Sequence, residues 1–107
     1  MSAIQREYEM ILDRQSNPEQ GSYTNYLFEK GLDKILKKVG EEATEVVVAS
    51  LAGSKEELTG EICDLLYHCL VLMAEKGLSL KDIEKELNLR AQKQHNQKAE
   101  RKPITNR

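Results

Sequence analysis

The feature that most constrains this chain is a pair of long stretches with helical periodicity on either side of a two-residue break, Gly53-Ser54. Apolar residues recur every three or four positions over residues 32–50 and again over residues 58–73. Glycine commonly ends helices, and Ser54 followed three residues later by Glu57 is the capping-box pattern that begins one. Two helices with so short a connection must fold back on each other, so the sequence predicts an antiparallel helical hairpin.

Shorter helices are predicted on either side of this hairpin. The apolar spacing indicates a helix over residues 3–15, and Ser22 or Thr24 is placed to cap a short helix that closes at Gly31. A second capping-box pattern, at Ser79, begins a last helix. The predicted fold class is therefore all-α, a small helical bundle built on the long antiparallel hairpin.

The chain divides into a domain and a charged tail. We expect residues 1–90 to form a single all-α domain, because helical periodicity fades after Leu89. Residues 91–107 are expected to form a basic C-terminal tail, either a helical extension or disordered. Six basic residues and one acidic residue lie between Arg90 and the end, whereas the formal net charge of the whole chain is −2. The tail lacks interleaved aromatic residues, so nucleic acid is not an expected partner.

The predicted location is the cytoplasm, with no membrane partner. Uninterrupted apolar runs such as residues 46–49 and 69–74 are far shorter than the roughly 20 residues of a membrane-spanning helix. The amino terminus carries charges where a signal peptide would be apolar. Cys63 and Cys69 lie six residues apart on one predicted helix, too distant for a disulfide, so we expect two buried thiols in a reducing compartment.

Acidic residues interrupt the apolar faces of both hairpin helices. With about 100° of rotation per residue, Glu42 falls inside the apolar stripe of the first helix and Glu45 at its edge, whereas Glu41 faces away. On the second helix three polar residues share one flank of the stripe: Glu61, Asp64 and His68. Such placement is unusual for residues that are merely solvated.

The spacing of these carboxylates from the turn predicts that they meet. Glu45 lies eight residues before Gly53 and Glu61 eight after it, while Glu42 and Asp64 both lie eleven residues away. Each pair arrives at the same height of an antiparallel hairpin, so four carboxylates converge. Like charges repel strongly in a partly dry site, and a divalent cation relieves this repulsion. Ligation by carboxylates alone favours Mg²⁺, with Mn²⁺ as a substitute.

Other interpretations of these residues stay open. One alternative is that the carboxylates are solvated groups in surface salt bridges. A di-iron site is disfavoured, because it needs Glu-x-x-His pairs, whereas His68 follows Asp64 by four residues. Lys38, one turn before Glu42, either balances phosphate charge beside the metal or is an ordinary solvent-exposed lysine. His68 is either a substrate contact or a hydrogen-bonded edge histidine, and Tyr67 is expected to be a packing residue on the opposite side.

The chain resembles the phosphoribosyl-ATP pyrophosphohydrolase family in two segments, KVGEEATEVVVAS and EICDLLYHCLVLM. The upstream segment GSYTNYLFEKG and the later LNLR are more similar to this family than to the MazG-like proteins of the same all-α superfamily. The resemblance covers residues 4–90. It implies Mg²⁺-dependent hydrolysis of phosphoribosyl-ATP to phosphoribosyl-AMP and pyrophosphate, the second step of histidine biosynthesis.

The resemblance also implies roles for individual residues. The implied Mg²⁺ ligands are Glu42, Glu45, Glu61 and Asp64. The catalytic carboxylates are drawn from Glu41, Glu42 and Glu45, and which of them is the general base stays open. The implied substrate-binding residues are Ser22, Tyr23, Thr24 and Lys38. His68 is added to them because it lies on the acidic flank of its helix.

A homodimer that completes the bundle is the implied assembly, in agreement with a hairpin too small to bury both long helices. Family members are often fused to the cyclohydrolase that acts next, but the chain lacks the length and the Cys and His ligands of that domain. A stand-alone form is therefore expected. The alternative functions are a MazG-like pyrophosphatase acting on noncanonical nucleoside triphosphates and a non-catalytic helical dimer module.

Overall fold

The chain folds into helices, with no strand in the part that the structure describes. The computed structural model describes residues 1–96. In chain order the helices are α1 (Ala3–Ser16), α2 (Tyr23–Lys30), α3 (Leu32–Ala52), α4 (Lys55–Lys76) and α5 (Leu80–Asn96). The predicted all-α fold class is confirmed.

Side-chain caps begin α2, α4 and α5 at the positions that the sequence indicates. Ser22 caps α2 through its hydroxyl. At the start of α4, Ser54 accepts a hydrogen bond from the Glu57 N–H while the Glu57 carboxylate accepts one from the Ser54 N–H, both at 3.1 Å. The same reciprocal pair joins Ser79 and Asp82 at the start of α5. Both predicted capping boxes are confirmed, and each satisfies two backbone donors that a helix start leaves unpaired.

The hairpin of α3 and α4 is the most extensive helix pairing in residues 1–96. Its first helix stops at Gly53, whose N–H donates to the Ala49 carbonyl at 2.8 Å, and Ser54 opens the next helix immediately. Because no loop intervenes, the register of the two helices is set by this break. Residues at equal distances from Gly53 therefore lie opposite each other, as the sequence predicts.

The buried core lies at the end of the hairpin away from the turn, where α1 and α2 cover it. Its buried apolar members are Tyr8, Ile11, Leu27, Ile35, Leu70, Val71 and Ala74. Two hydrogen bonds fasten α1 to this end of α4. The Tyr8 hydroxyl donates to the Leu78 carbonyl, and the Gln15 amide donates to the Ala74 carbonyl at 3.2 Å. The core thus holds α1 and α2 against the end of the hairpin that lies away from the turn.

Apolar side chains remain exposed at the hairpin tip and along α5. Near the tip, Val47 is 57% exposed and Leu51 83% exposed, and on α5 Leu87 is 58% exposed. Packing of α5 against the other helices is slight within the described residues. Across residues 1–96, no helix has the length and apolarity that a membrane crossing requires.

The structure also bears on the expected burial of the cysteines and on the predicted tail. The prediction that both thiols are buried is wrong, because Cys63 is exposed and Cys69 is only partly buried. The start of α1 leaves an open groove over α4 there, lined by Ala3, Ile4 and Cys63. Within the predicted tail, residues 91–96 continue α5 as a helix, and residues 97–107 lie outside the described part of the chain.

Candidate active site

Three carboxylates from the two hairpin helices converge at one place. Glu42 of α3 and Glu61 and Asp64 of α4 each present an oxygen, and the three oxygens lie within 4.8 Å of one another. The Glu42 side chain is only 13% exposed, in agreement with its predicted position inside the apolar stripe. Asp64 is exposed, so the group opens to solvent on one side.

Glu45, the fourth predicted ligand, lies beside this group without belonging to it. It is exposed and lines an open groove of about 450 Å³ together with Glu61 and Asp64. Its charge acts on Glu61. A rotation of an exposed side chain on a helix costs little, so Glu45 stays a predicted ligand.

Glu61 occupies the least favourable electrostatic position of the group. Its Oε2 atom is buried and, among residues 1–94, is the one buried side-chain oxygen or nitrogen without a hydrogen-bond partner. Desolvation raises the pKa of Glu61, and the neighbouring charges of Glu45, Asp64 and Glu42 raise it further. A carboxylate in this setting holds a proton more tightly than usual unless a cation compensates the charge.

The residues present fit a hard divalent cation. Oxygen ligands on opposite sides of a Mg²⁺ ion lie roughly 4.2 Å apart, so carboxylates already within 4.8 Å need only small side-chain rotations. A cation would also give the unpartnered Glu61 oxygen a ligand role. The open side at Asp64 leaves room for the water and phosphate ligands that Mg²⁺ typically keeps.

Lys38 is the basic residue that contacts this acidic group. Its Nζ lies 3.4 Å from Glu42 Oε2 and 3.5 Å from Glu41 Oε1. Desolvation acts to lower the pKa of the ammonium, but Tyr23 and the carboxylates of Glu42 and Glu41 outweigh it and raise the pKa. Lys38 therefore stays charged beside the carboxylates. Glu41, whose side chain is half exposed, is not one of the converging carboxylates.

The start of α2 brings Ser22, Tyr23 and Thr24 toward the hairpin. Ser22 is the N-cap and accepts from the Asn25 N–H at 3.2 Å. Tyr23 is 44% exposed, and burial raises the pKa of its hydroxyl, with the opposing charge of Lys38 and the reinforcing charge of Glu42 as smaller influences. Thr24, in contrast, is only 5% exposed. Of the three, Tyr23 is the side chain that lies between solvent and the acidic group.

His68 is buried, and both of its ring nitrogens have partners. Nδ1 lies 2.7 Å from the Asp64 carbonyl oxygen, and Nε2 lies 2.9 Å from the Tyr23 hydroxyl. The neighbouring Tyr67 packs edge-on against the imidazole, with ring centroids 5.0 Å apart, and its hydroxyl hydrogen-bonds Thr24. The geometry is that of a hydrogen-bonded edge histidine, one of the two interpretations that the sequence left open.

Sequence reasoning missed the contacts between α2 and this part of α4. Tyr67 packs, as predicted, but it also bonds the hydroxyl of Thr24. Tyr23 stacks near Tyr26 and Tyr67, with centroids about 6 Å away in each case. Periodicity describes one helix at a time, so it contained no signal for a contact between two helices. The adjacency of Tyr67 and His68 in the sequence was the available indication of such a contact.

Comparison with known proteins shows the family of the chain. The sequence model of the family described as phosphoribosyl-ATP pyrophosphohydrolase matches residues 5–91. The chain belongs to this family. That range contains every residue predicted for the site, as well as Tyr67.

Curated relatives of this phosphoribosyl-ATP pyrophosphohydrolase family member cover nearly the whole chain. It is 62% identical over 99 residues to a phosphoribosyl-ATP pyrophosphatase of Clostridium acetobutylicum, covering 92% of this chain and 90% of the relative. It is 55% identical over 106 residues to the protein of the same name in Clostridium novyi, covering 99% and 96%. A histidine biosynthesis bifunctional protein HisIE of Caldanaerobacter subterraneus is 62% identical over 86 residues, which cover 80% of this chain and 42% of that protein.

Proposed function

We propose that this chain hydrolyses phosphoribosyl-ATP to phosphoribosyl-AMP and pyrophosphate, as a step of histidine biosynthesis. The observation that carries the proposal is the convergence of Glu42, Glu61 and Asp64 in a chain whose relatives are named phosphoribosyl-ATP pyrophosphatase. The name of the bifunctional relative supports the pathway. Cleavage of a phosphoric anhydride needs charge neutralisation and positioning more than covalent chemistry, and this site is built for both.

Mg²⁺ is the proposed cofactor, with Mn²⁺ as a substitute. Glu42, Glu61 and Asp64 would hold it, and Glu45 would join them after a side-chain rotation. When bound, the ion supplies Lewis-acid polarisation of the phosphate oxygens and compensates their negative charge. Two features support the proposed metal ion. The Glu61 oxygen has no hydrogen-bond partner, and the site is open to solvent at Asp64, where an ion and the substrate could enter.

The remaining chemistry comes from side chains of the chain itself. Lys38 would bind a phosphate oxygen through its ammonium group, and this bond would replace its ion pair with Glu42. A general base must accept a proton from the attacking water. Glu41 is one candidate, because it lies outside the converging oxygens and would not be a metal ligand, and Glu42 and Glu45 are the alternatives. Ser22, Tyr23 and Thr24 are proposed to position the nucleotide.

A homodimer is the proposed assembly. Large apolar side chains are exposed toward the hairpin tip on both α3 and α4, and they include Val47, Val48, Leu51 and Ile62. Exposed apolar surface of this kind commonly marks a subunit contact. A stable interface buries about 800 Å² per partner, which two hairpins of more than twenty residues per helix supply readily. The cytoplasmic location stays a prediction.

The competing function is that of a MazG-like pyrophosphatase acting on noncanonical nucleoside triphosphates. The two are separated by assaying purified protein with phosphoribosyl-ATP, dCTP and dUTP under the same Mg²⁺ concentration. We expect kcat/KM for phosphoribosyl-ATP to exceed the others by about 100-fold or more, since a site that recognises a second ribosyl phosphate loses those contacts with the simpler substrates. Preference for dCTP or dUTP would replace the proposal with the alternative.

A further inference from the structure

Two consecutive residues of α4 bind two consecutive residues at the start of α2. We refer to Tyr23, Thr24, Tyr67 and His68 as the α2–α4 latch. It consists of the bond between the Tyr23 hydroxyl and His68 Nε2 at 2.9 Å and the bond between the Thr24 and Tyr67 hydroxyls. The latch ties the segment proposed to position the nucleotide to the helix that carries Glu61 and Asp64.

The hydrogen bonds of His68 fix the orientation of its ring. The Asp64 carbonyl can only accept, so Nδ1 at 2.7 Å carries the proton. In the neutral ring Nε2 then accepts, and the Tyr23 hydroxyl is the donor. His68 is only 6% exposed, so neither nitrogen is free to bind a substrate atom. His68 therefore influences the site through the Tyr23 hydroxyl that it binds, and not through a direct contact.

Tyr23 is the member of the latch that reaches the site. It is 44% exposed, and its hydroxyl responds to the charges of Lys38 and Glu42. Its ring lies against Tyr26 on one side and Tyr67 on another, so its orientation depends on the hydroxyl bond as well as on packing. Loss of that bond would leave a partly exposed ring free to rotate beside Lys38.

We propose that His68 is a positioning residue that holds Tyr23 in the orientation required for nucleotide binding, without itself contacting the substrate. The inference rests on the proposed function and refines it, because it replaces a direct substrate contact by an indirect one. The contrast with Thr24 and Tyr67 is informative. That second bond joins the same two helices but lies at a residue only 5% exposed, so it holds α2 against α4 without orienting the exposed Tyr23 side chain.

The kinetic test uses substitutions that divide the functions of the imidazole. Asparagine places its amide nitrogen near the position of Nδ1, so His68→Asn keeps the bond to Asp64 and loses Tyr23. Glutamine reaches the position of Nε2, so His68→Gln keeps an acceptor for Tyr23. Tyr23→Phe removes the donor alone. Tyr67→Phe is the matched control, because it breaks the other α2–α4 bond.

We expect His68→Asn and Tyr23→Phe each to raise KM for phosphoribosyl-ATP about 5- to 20-fold, with kcat changed less than about 3-fold, the effect of one lost positioning hydrogen bond. His68→Gln should restore KM to within about 3-fold of the wild type, and the double variant His68→Asn/Tyr23→Phe should be no worse than either single one. Tyr67→Phe should lower the melting temperature while leaving KM within about 2-fold.

A spectroscopic measurement in chelator tests the geometry without turnover. In protein with ¹⁵N-labelled histidine, we expect a slowly exchanging proton on His68 Nδ1, and Tyr23→Phe should shift the Nε2 resonance while the Nδ1 proton persists. Absence of the Nδ1 proton would overturn the proposal, as would additive losses in the double variant or the same KM effect in Tyr67→Phe. A wild-type protein that is inactive on phosphoribosyl-ATP would overturn the proposed function. The spectroscopic measurement needs no turnover, so a failure of the proposed function and a failure of the His68–Tyr23 geometry are distinguishable.

Discussion

Lys38 Nζ lies 3.4 Å from Glu42 Oε2, one helical turn apart on α3, and this ion pair connects the two halves of the proposed site. Glu42 is one of the three converging carboxylates, which are proposed to bind a metal ion, and Lys38 is the residue proposed to bind the phosphates. Binding of metal and nucleotide would therefore replace one internal ion pair by two ion pairs with ligands, with little net charge left uncompensated.

Substitution of Lys38 by glutamine should separate metal binding from substrate binding. Removing a positive charge beside the carboxylates lowers the repulsion that Mg²⁺ meets, so its affinity for the free protein should rise about 3- to 10-fold. KM for phosphoribosyl-ATP should rise about 10-fold or more, because a charged bond to phosphate is lost. Calorimetric Mg²⁺ titration and steady-state kinetics measure the two effects. A fall in Mg²⁺ affinity would contradict this prediction.

Glu42→Gln tests the metal site most directly, because glutamine keeps the shape and removes the charge. We expect kcat to fall by roughly 100-fold or more, the loss typical of removing one group that stabilises transition-state charge. The matched control is Glu9→Gln, at an exposed position of α1, which should stay within about 2-fold of the wild type. Unchanged turnover and unchanged Mg²⁺ dependence of Glu42→Gln would instead favour a non-catalytic dimer module.

The raised pKa of Glu61 predicts how stability depends on pH in the metal-free protein. A carboxyl whose pKa is higher in the folded state gives stability that is complete below its unfolded pKa and is lost as the pH rises through its folded pKa. Thermal unfolding in chelator should therefore show the wild type losing stability as the pH rises from below the ordinary glutamate pKa to above the raised one. Glu61→Gln, which cannot ionise, should lose less and melt at a higher temperature at neutral pH.

The same substitution should weaken metal binding. Removal of a ligand oxygen is expected to lower Mg²⁺ affinity by at least about 10-fold, since even residues that only orient ligands have effects of that size. Glu61→Gln thus stabilises the metal-free fold and lowers affinity for the ion, two opposite signs from one change. Glu9→Gln serves again as the control for pH dependence. Parallel stability curves for Glu61→Gln and the wild type would show that the crowding of carboxylates has no energetic effect.

The sequence predicted much of the hairpin, because its signals are local or follow from one turn. Capping residues such as Ser54 mark helix starts, and a break without a loop places Glu42 opposite Asp64 by counting alone. The end of α5 was harder to locate. Periodicity fades after Leu89, yet the helix continues to Asn96, because periodicity reports burial and α5 is exposed from residue 81 through residue 94.

Contacts between separate helices escaped prediction for a related reason. The bond between Tyr23 and His68 spans 45 residues, and nothing in either local pattern specifies how α2 approaches α4. The position of Cys63 depends likewise on how far α1 extends over α4. Spacing within one rigid hairpin can be counted, whereas the docking of a second element depends on the shape of the packed core.

Disruption of the hairpin tip tests the proposed dimer. Replacing Val47 and Leu51 by lysine together puts two charges on one exposed apolar face of α3, and the dimer should dissociate at micromolar concentration because charged side chains would be buried without partners. Sedimentation velocity measures the result. Gln20→Lys, which adds a lysine to an exposed turn residue, should leave the dimer intact. A double variant that remains dimeric would place the subunit contact elsewhere.

The turn of the hairpin offers a stability test that bears on the site. A Cβ atom at Gly53 would lie 2.8 Å from the Ala49 carbonyl oxygen, the group that Gly53 itself bonds, whereas one at Gly40 would meet nothing within 4 Å. Gly40→Ala should therefore stabilise the metal-free protein by about 0.5–1 kcal/mol, the usual gain from alanine in a helix interior. Gly53→Ala should destabilise it by about 1–3 kcal/mol through local strain.

Gly53→Ala should also weaken Mg²⁺ binding, because a shifted turn changes the register that brings Glu42 opposite Asp64. Chemical denaturation in chelator gives the two unfolding free energies, and calorimetry gives the affinities. Gly40→Ala, although it lies two residues from Glu42, should retain the wild-type affinity, since it leaves the register unchanged. If Gly53→Ala bound Mg²⁺ as tightly as Gly40→Ala does, the carboxylates would not depend on the turn, and counting from Gly53 would have succeeded by coincidence.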